Sequence, residues 1–520
     1  MKRLLFILFI LTYSYLFAQY EDVGERGKYF TKKNYVEVEI PLFEIHKAKL
    51  PEPVIEDNPE YLELYWKCWE IAFSHFKQPP EDSPFVSNYI DEGFSPSVFQ
   101  WDTAFMMMFM RYASHIFPSI ESFDNFYSRQ YENGYICREI WEADGNDFVY
   151  LDRMHTINPP IFAWAEIEYA RISGDQSRIK NILPALEKYA EWLEKFRKKE
   201  KTKHNLYWNT GLGSGMDNSP RKGSAWTDMS TQMYLFYYSL AEMNEEAGDK
   251  QKSELHRNKA VEIGKKINEL MWNEKDGLYY DLDDKGKQIQ TKTLACFWPM
   301  VARLPNITQA ERLLSHLKNP NEFWRTIPFP SLSADHSEYK PEGNYWLGGV
   351  WAPTNYMAIK GLDKYSEGFE SSFNFREFAA HASETYLDGM YKVFKKTGTI
   401  WENYAPDFYM RSLPMSQSDF VGWSGCGPIA LLIENVIGIK ADALKKEVKW
   451  DINRIDKHGI QNLQFGDIKA SFICDKRIDV NKTCRIKINS TQTFTLYARR
   501  NTGKLLILTI NPGFNQFEVD

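Results

Sequence analysis

The sequence predicts a mainly α-helical protein, an (α/α)6 toroid with a small C-terminal β-sandwich domain. From Tyr61 to near residue 440, apolar residues recur at spacings of three and four, which is typical of amphipathic helices. Short turns and long aromatic loops alternate between these helices, as expected for helix pairs arranged around a ring. From Asp451 onward, apolar residues alternate at period two between Gly, Asn and Asp turns, which indicates short β-strands.

Residues 1–18 are predicted to be a signal peptide. Lys2 and Arg3 precede an apolar run at 4–11, and Ala18 provides a small residue at the expected cleavage point before Gln19. A membrane-spanning helix needs about 20 apolar residues, more than this run supplies. No cysteine follows the cleavage point, which argues against a retained lipid anchor. We therefore expect an exported protein, periplasmic or secreted, that leaves the membrane after cleavage.

Residues 19–58 are predicted to form an extended lead-in, with a short strand at 35–40 where polar and apolar residues alternate. Residues 59–445 are predicted to form the helical barrel. No repeat of about 34 or about 40 residues is visible, which disfavours a superhelical repeat array. The predicted helices lie at roughly 60–77, 98–116, 119–129, 158–173, 177–198, 224–248, 250–273, 290–303, 307–318, 349–364, 370–396 and 423–437.

Residues 446–520 are predicted to form the β-sandwich. Its strands are expected at 468–473, 483–488, 494–498, 504–509 and 516–519. Packing against the barrel is the role we favour for this domain over sugar binding. Cys474 and Cys484 either face each other across a hairpin as a disulfide or remain buried free thiols.

Composition restricts the expected partners. The net charge is −7 and no long run of Lys or Arg is present, so neither nucleic acid nor an anionic membrane surface is expected to bind. Aromatic residues make up 15% of the chain, which fits either a large core or a pocket that stacks sugar rings. The six cysteines lack the spacing of a metal site. No cofactor is predicted, whereas a structural calcium ion and the oligomeric state stay open.

Five loops between the helices carry most of the unusual residues. Such loops let a rigid scaffold present aromatic faces beside hydrogen-bonding groups. If the segment around Arg138 and Glu139 is extended, these two side chains point to opposite faces, so that one serves the pocket and the other pairs outside it. The candidate substrate-binding residues are Trp101, Asp102, Arg138, Glu139, Asn158, Arg221, Trp346, Gly349, Trp351, Trp401 and Trp423.

We interpret Asp217 and Glu402 as the two catalytic carboxyl groups of a glycosidase. Asp217 lies in the Gly/Ser-rich stretch 211–221, and Glu402 lies in the aromatic stretch 398–404. Hydrolysis of an acetal needs one protonated carboxyl group to assist the leaving oxygen and one carboxylate to activate water or attack carbon. By residue type alone, Asp102, Glu139 and Asp335 fit these roles equally well.

The loop motifs, in their order along the chain, resemble those of trehalase-like (α/α)6 glycosidases. The similarity covers roughly residues 60–440, and it looks closest to glycoside hydrolase family 63, the processing α-glucosidases and mannosylglycerate hydrolases, with the family 37 trehalases more distant. Its most specific piece is the loop around Asp217. The motifs are Trp101-Asp102, Asn158-Pro159-Pro160, residues 214–221, residues 348–353 and residues 401–404.

The resemblance implies inverting hydrolysis of an α-glucoside or α-mannoside, with Asp217 as general acid and Glu402 as general base. It also implies that Trp101, Asp102, Arg138 and the 346–351 loop line the subsite for the non-reducing sugar. Two departures argue against trehalose as the substrate. Residues 94–99 lack the Gly-rich signature that precedes the Trp-Asp pair in trehalases, and Asn158 replaces the glutamine of their Gln-Pro-Pro turn.

Two other functions compete with this interpretation. A polysaccharide lyase or sugar epimerase on the same toroid would rely on His or Tyr bases, and His155 and His336 both lie in loops. The sequence contains no paired His motif that would support either reaction. A non-catalytic glycan-binding protein would use the aromatic loops without chemistry, although both carboxylic residues that catalysis needs are present.

Overall fold

The computed structural model describes residues 25–147, 157–366, 372–500 and 505–519. The predicted signal peptide at 1–18 and His155 lie outside these residues. The described chain is mainly helical between residues 60 and 436, as predicted. Its main helices are α1 (Glu60–Ser74), α2 (Gln100–Met110), α3 (Ser122–Tyr127), α4 (Phe162–Ser173), α5 (Ser177–Arg197), α6 (Thr227–Ala247), α7 (Lys250–Lys266), α8 (Trp298–Val301), α9 (Ile307–Leu317), α10 (Ala352–Lys364), α11 (Ser372–Thr397) and the π-helical α12 (Gly427–Val436).

Every second helix belongs to an inner series. Helix α2 contacts α4, α4 contacts α6, and the contacts continue through α8, α10 and α12 back to α2. The sequence explains this position, because every residue of α2 is buried, whereas α5 buries only the stripe that contains Ile179, Ile182, Leu186 and Tyr189. A helix that is apolar all round must be enclosed, and an amphipathic helix covers it with one face.

A buried charge network ties together the inner helices near residues 111, 360 and 434. Arg111 Nη2 lies 2.5 Å from Glu434 Oε1, and Lys360 Nζ lies 2.6 Å from Glu434 Oε2. Burial raises the pKa of Glu434, but Lys360 and Arg111 outweigh it, so the pKa lies below its ordinary value. Because Arg111 follows the last residue of α2 and Glu434 lies in the last turns of α12, this network joins these helices near their C-terminal ends.

The C-terminal region is rich in β-strands, as predicted. Two sheets pack through aromatic contacts, with ring centroids 5.8 Å apart for Trp450 and Phe472 and 5.5 Å apart for Phe465 and Phe494. The strands are β1 (Glu52–Ile55), β2 (Ile439–Asp442), β3 (Glu447–Ile452), β4 (His458–Phe465), β5 (Ile468–Cys474), β6 (Cys484–Ser490), β7 (Phe494–Arg500), β8 (Leu506–Ile510) and β9 (Gly513–Val519). Their order is β1-β4-β5-β6-β9 in one sheet and β2-β3-β7-β8 in the other.

The predicted strand at 35–40 is wrong. Residues 31–42 have no regular secondary structure, and Val36 and Val38 are 71% and 58% exposed. The alternating pattern is present, but a strand also needs a partner for its backbone groups, and these residues have none among the described strands. The lead-in instead contributes β1, which pairs antiparallel with β4 of the C-terminal region.

Cys474 and Cys484 lie on the adjacent strands β5 and β6 and are both buried free thiols. The neighbouring Cys484 thiol raises the pKa of Cys474, and burial raises it further. None of the helices in the described part of the chain combines the length and the apolar character needed to cross a membrane.

Candidate active site

Carboxylic side chains converge where the inner helices begin. Asp102 lies in the first turn of α2, Asp217 precedes α6, and Glu402 lies in the loop that leads toward α12. Burial raises the pKa of Tyr345, and the charges of Asp217, Glu402 and Asp102 raise it further. The three carboxylates are therefore close enough to act on one phenol group, and Asp217 is the one that it hydrogen-bonds. The N-terminal end of a helix favours negative charge, which suits Asp102 in the first turn of α2.

The glycines of the 211–221 loop allow its backbone to pack closely against neighbouring side chains. A Cβ atom on Gly213 would come within 2.3 Å of Asn209 Oδ1, and one on Gly215 would come within 3.0 Å of the Trp101 ring. Gly215 also has a φ of +73°, a left-handed conformation that favours glycine. The loop consequently brings Asp217 toward the wall that Trp101 forms at the start of α2.

Asp217 is partly buried and accepts a hydrogen bond from the Tyr345 hydroxyl, with 3.1 Å between that oxygen and Oδ2. Burial raises the pKa of Asp217, while Arg138 and the Tyr345 hydroxyl oppose this shift without cancelling it. A carboxyl group that keeps its proton more readily than a free aspartate suits general acid chemistry.

Glu402 is buried and clamped by one backbone segment. The Gln417 N–H donates to Glu402 Oε2 at 3.1 Å, and the Glu402 N–H donates to the Gln417 carbonyl at 2.9 Å. Burial raises the pKa of Glu402 to about 7, with a further contribution from the charge of Asp217 and an opposing one from the Gln417 N–H. Trp423 supports the same residue, because its Nε1 donates to the Glu402 carbonyl at 2.9 Å.

Asp102, Arg138 and Glu139 form another part of the wall. Burial raises the pKa of Asp102 well above its ordinary value, Arg138 opposes the shift, and the charges of Glu402 and Asp217 add to it. The expectation that Arg138 and Glu139 diverge is wrong, since Arg138 Nη1 lies 2.6 Å from Glu139 Oε1. Arg138 precedes the strand Glu139–Trp141, so its long side chain folds back toward the neighbouring carboxylate and over the Phe99 ring.

Arg221 does not face the pocket, contrary to the prediction. Its Nη1 lies 2.6 Å from Asp228 Oδ2, its Nε lies 2.9 Å from Asp281 Oδ2, and only 1% of its side chain is exposed. Asn158 is also buried, and its Oδ1 accepts from the Trp101 backbone N–H at 3.4 Å, which secures the start of α2. Both side chains therefore support the loops around the site rather than line it.

The 346–351 loop supports Tyr345. Trp351 is fully buried, stacks on Trp346 with 4.1 Å between centroids, and donates from Nε1 to the Tyr345 carbonyl at 3.2 Å. A Cβ atom on Gly349 would lie 2.2 Å from the same carbonyl oxygen. Trp351, which is a candidate substrate-binding residue in the sequence, is enclosed here and supports Tyr345. Trp401 is partly exposed, with the Arg411 guanidinium 5.1 Å from its ring centroid.

Sequence reasoning missed Tyr345 and Glu92. Tyr345 has a φ of +64° and follows Asn344 at +42°, and the Asn-Tyr pair before two glycines was the available signal of an unusual turn. Glu92 is fully buried, and neither of its carboxylate oxygens has a hydrogen-bond partner within the described residues. Burial raises its pKa well above the ordinary value, with added repulsion from Asp91 and Asp102. No single-sequence pattern marks such a residue.

The other candidate acid lies elsewhere. Asp335 pairs with Lys292 at 2.5 Å and its side chain is 42% exposed. Across the described ranges, no group of three or more His, Cys, Asp or Glu side chains has an arrangement that would hold a metal ion.

Comparisons with known proteins identify the family of this chain. The family model of the mannosylglycerate hydrolase MGH1-like glycoside hydrolase domain matches residues 95–408, the stretch that carries the three carboxylates. An uncharacterized protein of Borreliella burgdorferi is 30% identical over 385 residues, which cover 72% of this chain and 79% of that protein. The mannosyl-oligosaccharide glucosidase of Saccharomyces cerevisiae is 22% identical over 253 residues, 44% of this chain and 28% of the yeast protein.

The fold is also similar to that of a solved enzyme. The GH63 mannosylglycerate hydrolase from Thermus thermophilus, crystallised with glucose, superposes with a TM-score of 0.54 at 18% identity. The match covers 70% of this chain and 99% of the Thermus chain. Together with the family model, which spans more than half of the sequence, these similarities confirm the resemblance to family 63. The chain belongs to the mannosylglycerate hydrolase MGH1-like glycoside hydrolase family, and it is a glycoside hydrolase.

Proposed function

We propose that this glycoside hydrolase cleaves an α-linked glucoside or mannoside with inversion, using Asp217 as general acid and Glu402 as general base. The observation that carries the proposal is the hydrogen bond from the Tyr345 hydroxyl to Asp217, beside a buried Glu402 whose pKa the charge of Asp217 helps to raise. Inverting and retaining glycosidases both need two carboxyl groups at one site, and the resemblance to family 63 favours inversion. Family membership favours hydrolysis over lyase or epimerase chemistry and over sugar binding without turnover.

In the proposed reaction, Asp217 transfers its proton to the glycosidic oxygen as the bond to the anomeric carbon breaks. Glu402 removes a proton from a water molecule that attacks this carbon from the opposite face. The transition state carries positive charge on the sugar ring, which the nearby carboxylates stabilise. At the end of the step Asp217 is ionised and Glu402 is protonated, and exchange with solvent restores both groups.

The substrate class follows from the relatives and from the pocket wall. One relative is described as a mannosylglycerate hydrolase and another as a mannosyl-oligosaccharide glucosidase, so we propose an α-mannoside or α-glucoside. Asp102 would accept hydrogen bonds from sugar hydroxyls, because one of its oxygens has no partner among the described residues. Trp101 beside it would provide an apolar face for the ring.

The architecture and the compartment complete the proposal. The closed contact series of α2, α4, α6, α8, α10 and α12 supports an (α/α)6 toroid whose outer layer is the intervening helices.

We further propose that residues 1–18 direct export to the periplasm or the medium. Expression of the full chain in a bacterium and mass determination of its N-terminus tests this. A mature protein that starts at Gln19 is expected, and a cytosolic protein that retains residue 1 would contradict export.

Incubation with α-linked gluco- and manno-disaccharides and with mannosylglycerate, followed by proton NMR during the first minutes, tests the mechanism. The β-anomer should appear first and then mutarotate. Initial release of the α-anomer would overturn inversion. A double-bond absorbance from a uronic-acid polymer, without hydrolysis of any α-glycoside, would favour a lyase.

A further inference from the structure

The Tyr345 hydroxyl is directed at Asp217 by an unusual backbone arrangement. Tyr345 and Asn344 both adopt the left-handed region, with φ values of +64° and +42°. For residues with side chains this region costs free energy and persists only where surrounding contacts hold it. The contacts in this case come from the residue that follows Asp217 in the chain.

Asn218 binds the backbone on both sides of Tyr345. Its Oδ1 accepts from the Trp346 N–H at 2.8 Å, and its Nδ2 donates to the Asn344 carbonyl at 3.2 Å. The loop that carries Asp217 therefore also holds the turn that carries Tyr345, although the two residues are 128 positions apart in the chain.

The tyrosine ring is held as firmly as its backbone. The Trp351 ring meets it edge to face, with 4.9 Å between centroids and an interplanar angle of 83°. The Trp351 Nε1 also donates to the Tyr345 carbonyl, and only glycine fits at position 349 against that oxygen. These contacts hold the ring where its hydroxyl donates to Asp217 Oδ2.

We propose that Tyr345 is a positioning residue that determines which oxygen of Asp217 carries the acid proton. This inference rests on the proposed role of Asp217. Because the Tyr345 hydroxyl donates to Oδ2, the proton of the neutral acid is directed to Oδ1, the oxygen that remains for the glycosidic bond. Without the hydroxyl, the proton divides between two oxygens, and only one of them is aligned with the leaving group.

The surrounding charges keep Tyr345 a donor. Burial and the charges of Asp217, Glu402 and Asp102 raise the pKa of its hydroxyl, so it stays protonated throughout the working range. The other charged groups at Asp217 are Arg138 and Glu139. The hydrogen bond from Tyr345 lowers the pKa of Asp217, and its removal should raise that pKa.

The test is Tyr345→Phe, assayed with an α-glycoside whose leaving group needs a proton and with the matching α-glycosyl fluoride, whose leaving group does not. We expect kcat/KM for the glycoside to fall about tenfold to a hundredfold, the loss expected for a hydrogen bond to the charge that develops on Asp217 as its proton leaves, while kcat/KM for the fluoride changes little. The alkaline limb of the pH profile should move to higher pH. Equal losses on both substrates, or an unchanged alkaline limb, would overturn the proposal.

A matched control is Tyr339→Phe. The Tyr339 hydroxyl donates to Asp407 Oδ2 at 3.1 Å, the same pairing at the same distance but outside the carboxylate group. The Tyr339→Phe variant should leave the ratio of kcat/KM for the glycoside to kcat/KM for the fluoride unchanged. Asn218→Ala provides a second variant, since its exposed side chain can be removed without opening the core, and it should reproduce the selective loss. Equal losses of glycoside and fluoride activity in Asn218→Ala would count against the proposal.

The same assays separate failure of this inference from failure of the proposed function. If Asp217→Asn loses glycoside and fluoride activity equally, Asp217 is not the general acid, and the proposed function fails. If Asp217→Asn loses glycoside activity selectively and Tyr345→Phe does not, only the role of Tyr345 fails.

Discussion

Arg221 and Asp228 form a buried ion pair beside the candidate active site, with 2.6 Å between Nη1 and Oδ2. Asp281 binds the other side of the same guanidinium group, and the Trp226 ring lies under it at 4.4 Å. Asp228 belongs to the first turn of α6, so this cluster anchors the start of that helix to the end of the Asp217 loop. The cluster thus stabilises the geometry on which Asp217 depends.

Arg221→Met should destabilise the protein by about 3–5 kcal/mol, because it leaves two buried carboxylates without their cation. Urea unfolding followed by tryptophan fluorescence measures the change. Arg485→Met is the matched control, since Arg485 and Glu518 pair at 3.2 Å with side chains 51% and 59% exposed. That exposed pair should contribute less than about 1 kcal/mol. Comparable effects for the two variants would contradict the structural role of Arg221.

Asp217→Asn and Glu402→Gln should each lower kcat by about 10²–10⁴-fold while the fold is retained. The loss in Asp217→Asn should depend on the leaving group, whereas the loss in Glu402→Gln should not, because the base acts on water. The raised pKa of Glu402 by itself also suits an acid, so this difference decides the roles. Asp335→Asn, which removes an exposed acid, serves as the control and should keep full activity. The opposite leaving-group pattern would exchange the two roles.

The pH profile of kcat/KM should lose activity below about pH 7. Burial raises the pKa of Glu402 to about 7, and a general base works only in its ionised form. Below that pH, the rate should fall about tenfold per pH unit as the carboxylate takes up a proton. A profile in buffers of constant ionic strength measures this limb. A midpoint near 4.5, the ordinary value, would show that Glu402 is not the base or that its burial has no effect.

Glu402→Gln should also change the pH dependence of stability. A carboxyl group whose pKa rises from 4.5 to about 7 on folding makes the native state lose stability as pH increases between these values. The loss is roughly 3 kcal/mol at the high end, from about 1.4 kcal/mol per pH unit. Relative to the wild type, the Gln variant should therefore gain stability from pH 4.5 to about pH 7. Parallel stability curves for the two proteins would contradict this expectation.

Much of the fold could be predicted from local patterns. The apolar spacing that identified α5 and the alternation that identified β5 and β6 are properties of neighbouring residues, and each reports which face of its own element is buried. The same logic failed at residues 35–40. There the alternation is present, but strand formation depends on a distant partner that the local pattern does not encode.

By itself, the sequence determined most of the helices and C-terminal strands, which loops carry acidic and aromatic residues, and which family the chain resembles. Only the tertiary structure decided how those side chains divide between the pocket and its support. In the sequence, Arg221 and Trp351 resemble ligand-binding residues of a motif. In the folded chain, Arg221 donates to Asp281 and Trp351 donates to the Tyr345 carbonyl. The physical reason is that a polar group's role depends on its nearest partner in space, and the decisive partners are often brought together from distant parts of the chain. Asp217 and Tyr345, which are 128 positions apart in the chain, are the clearest case.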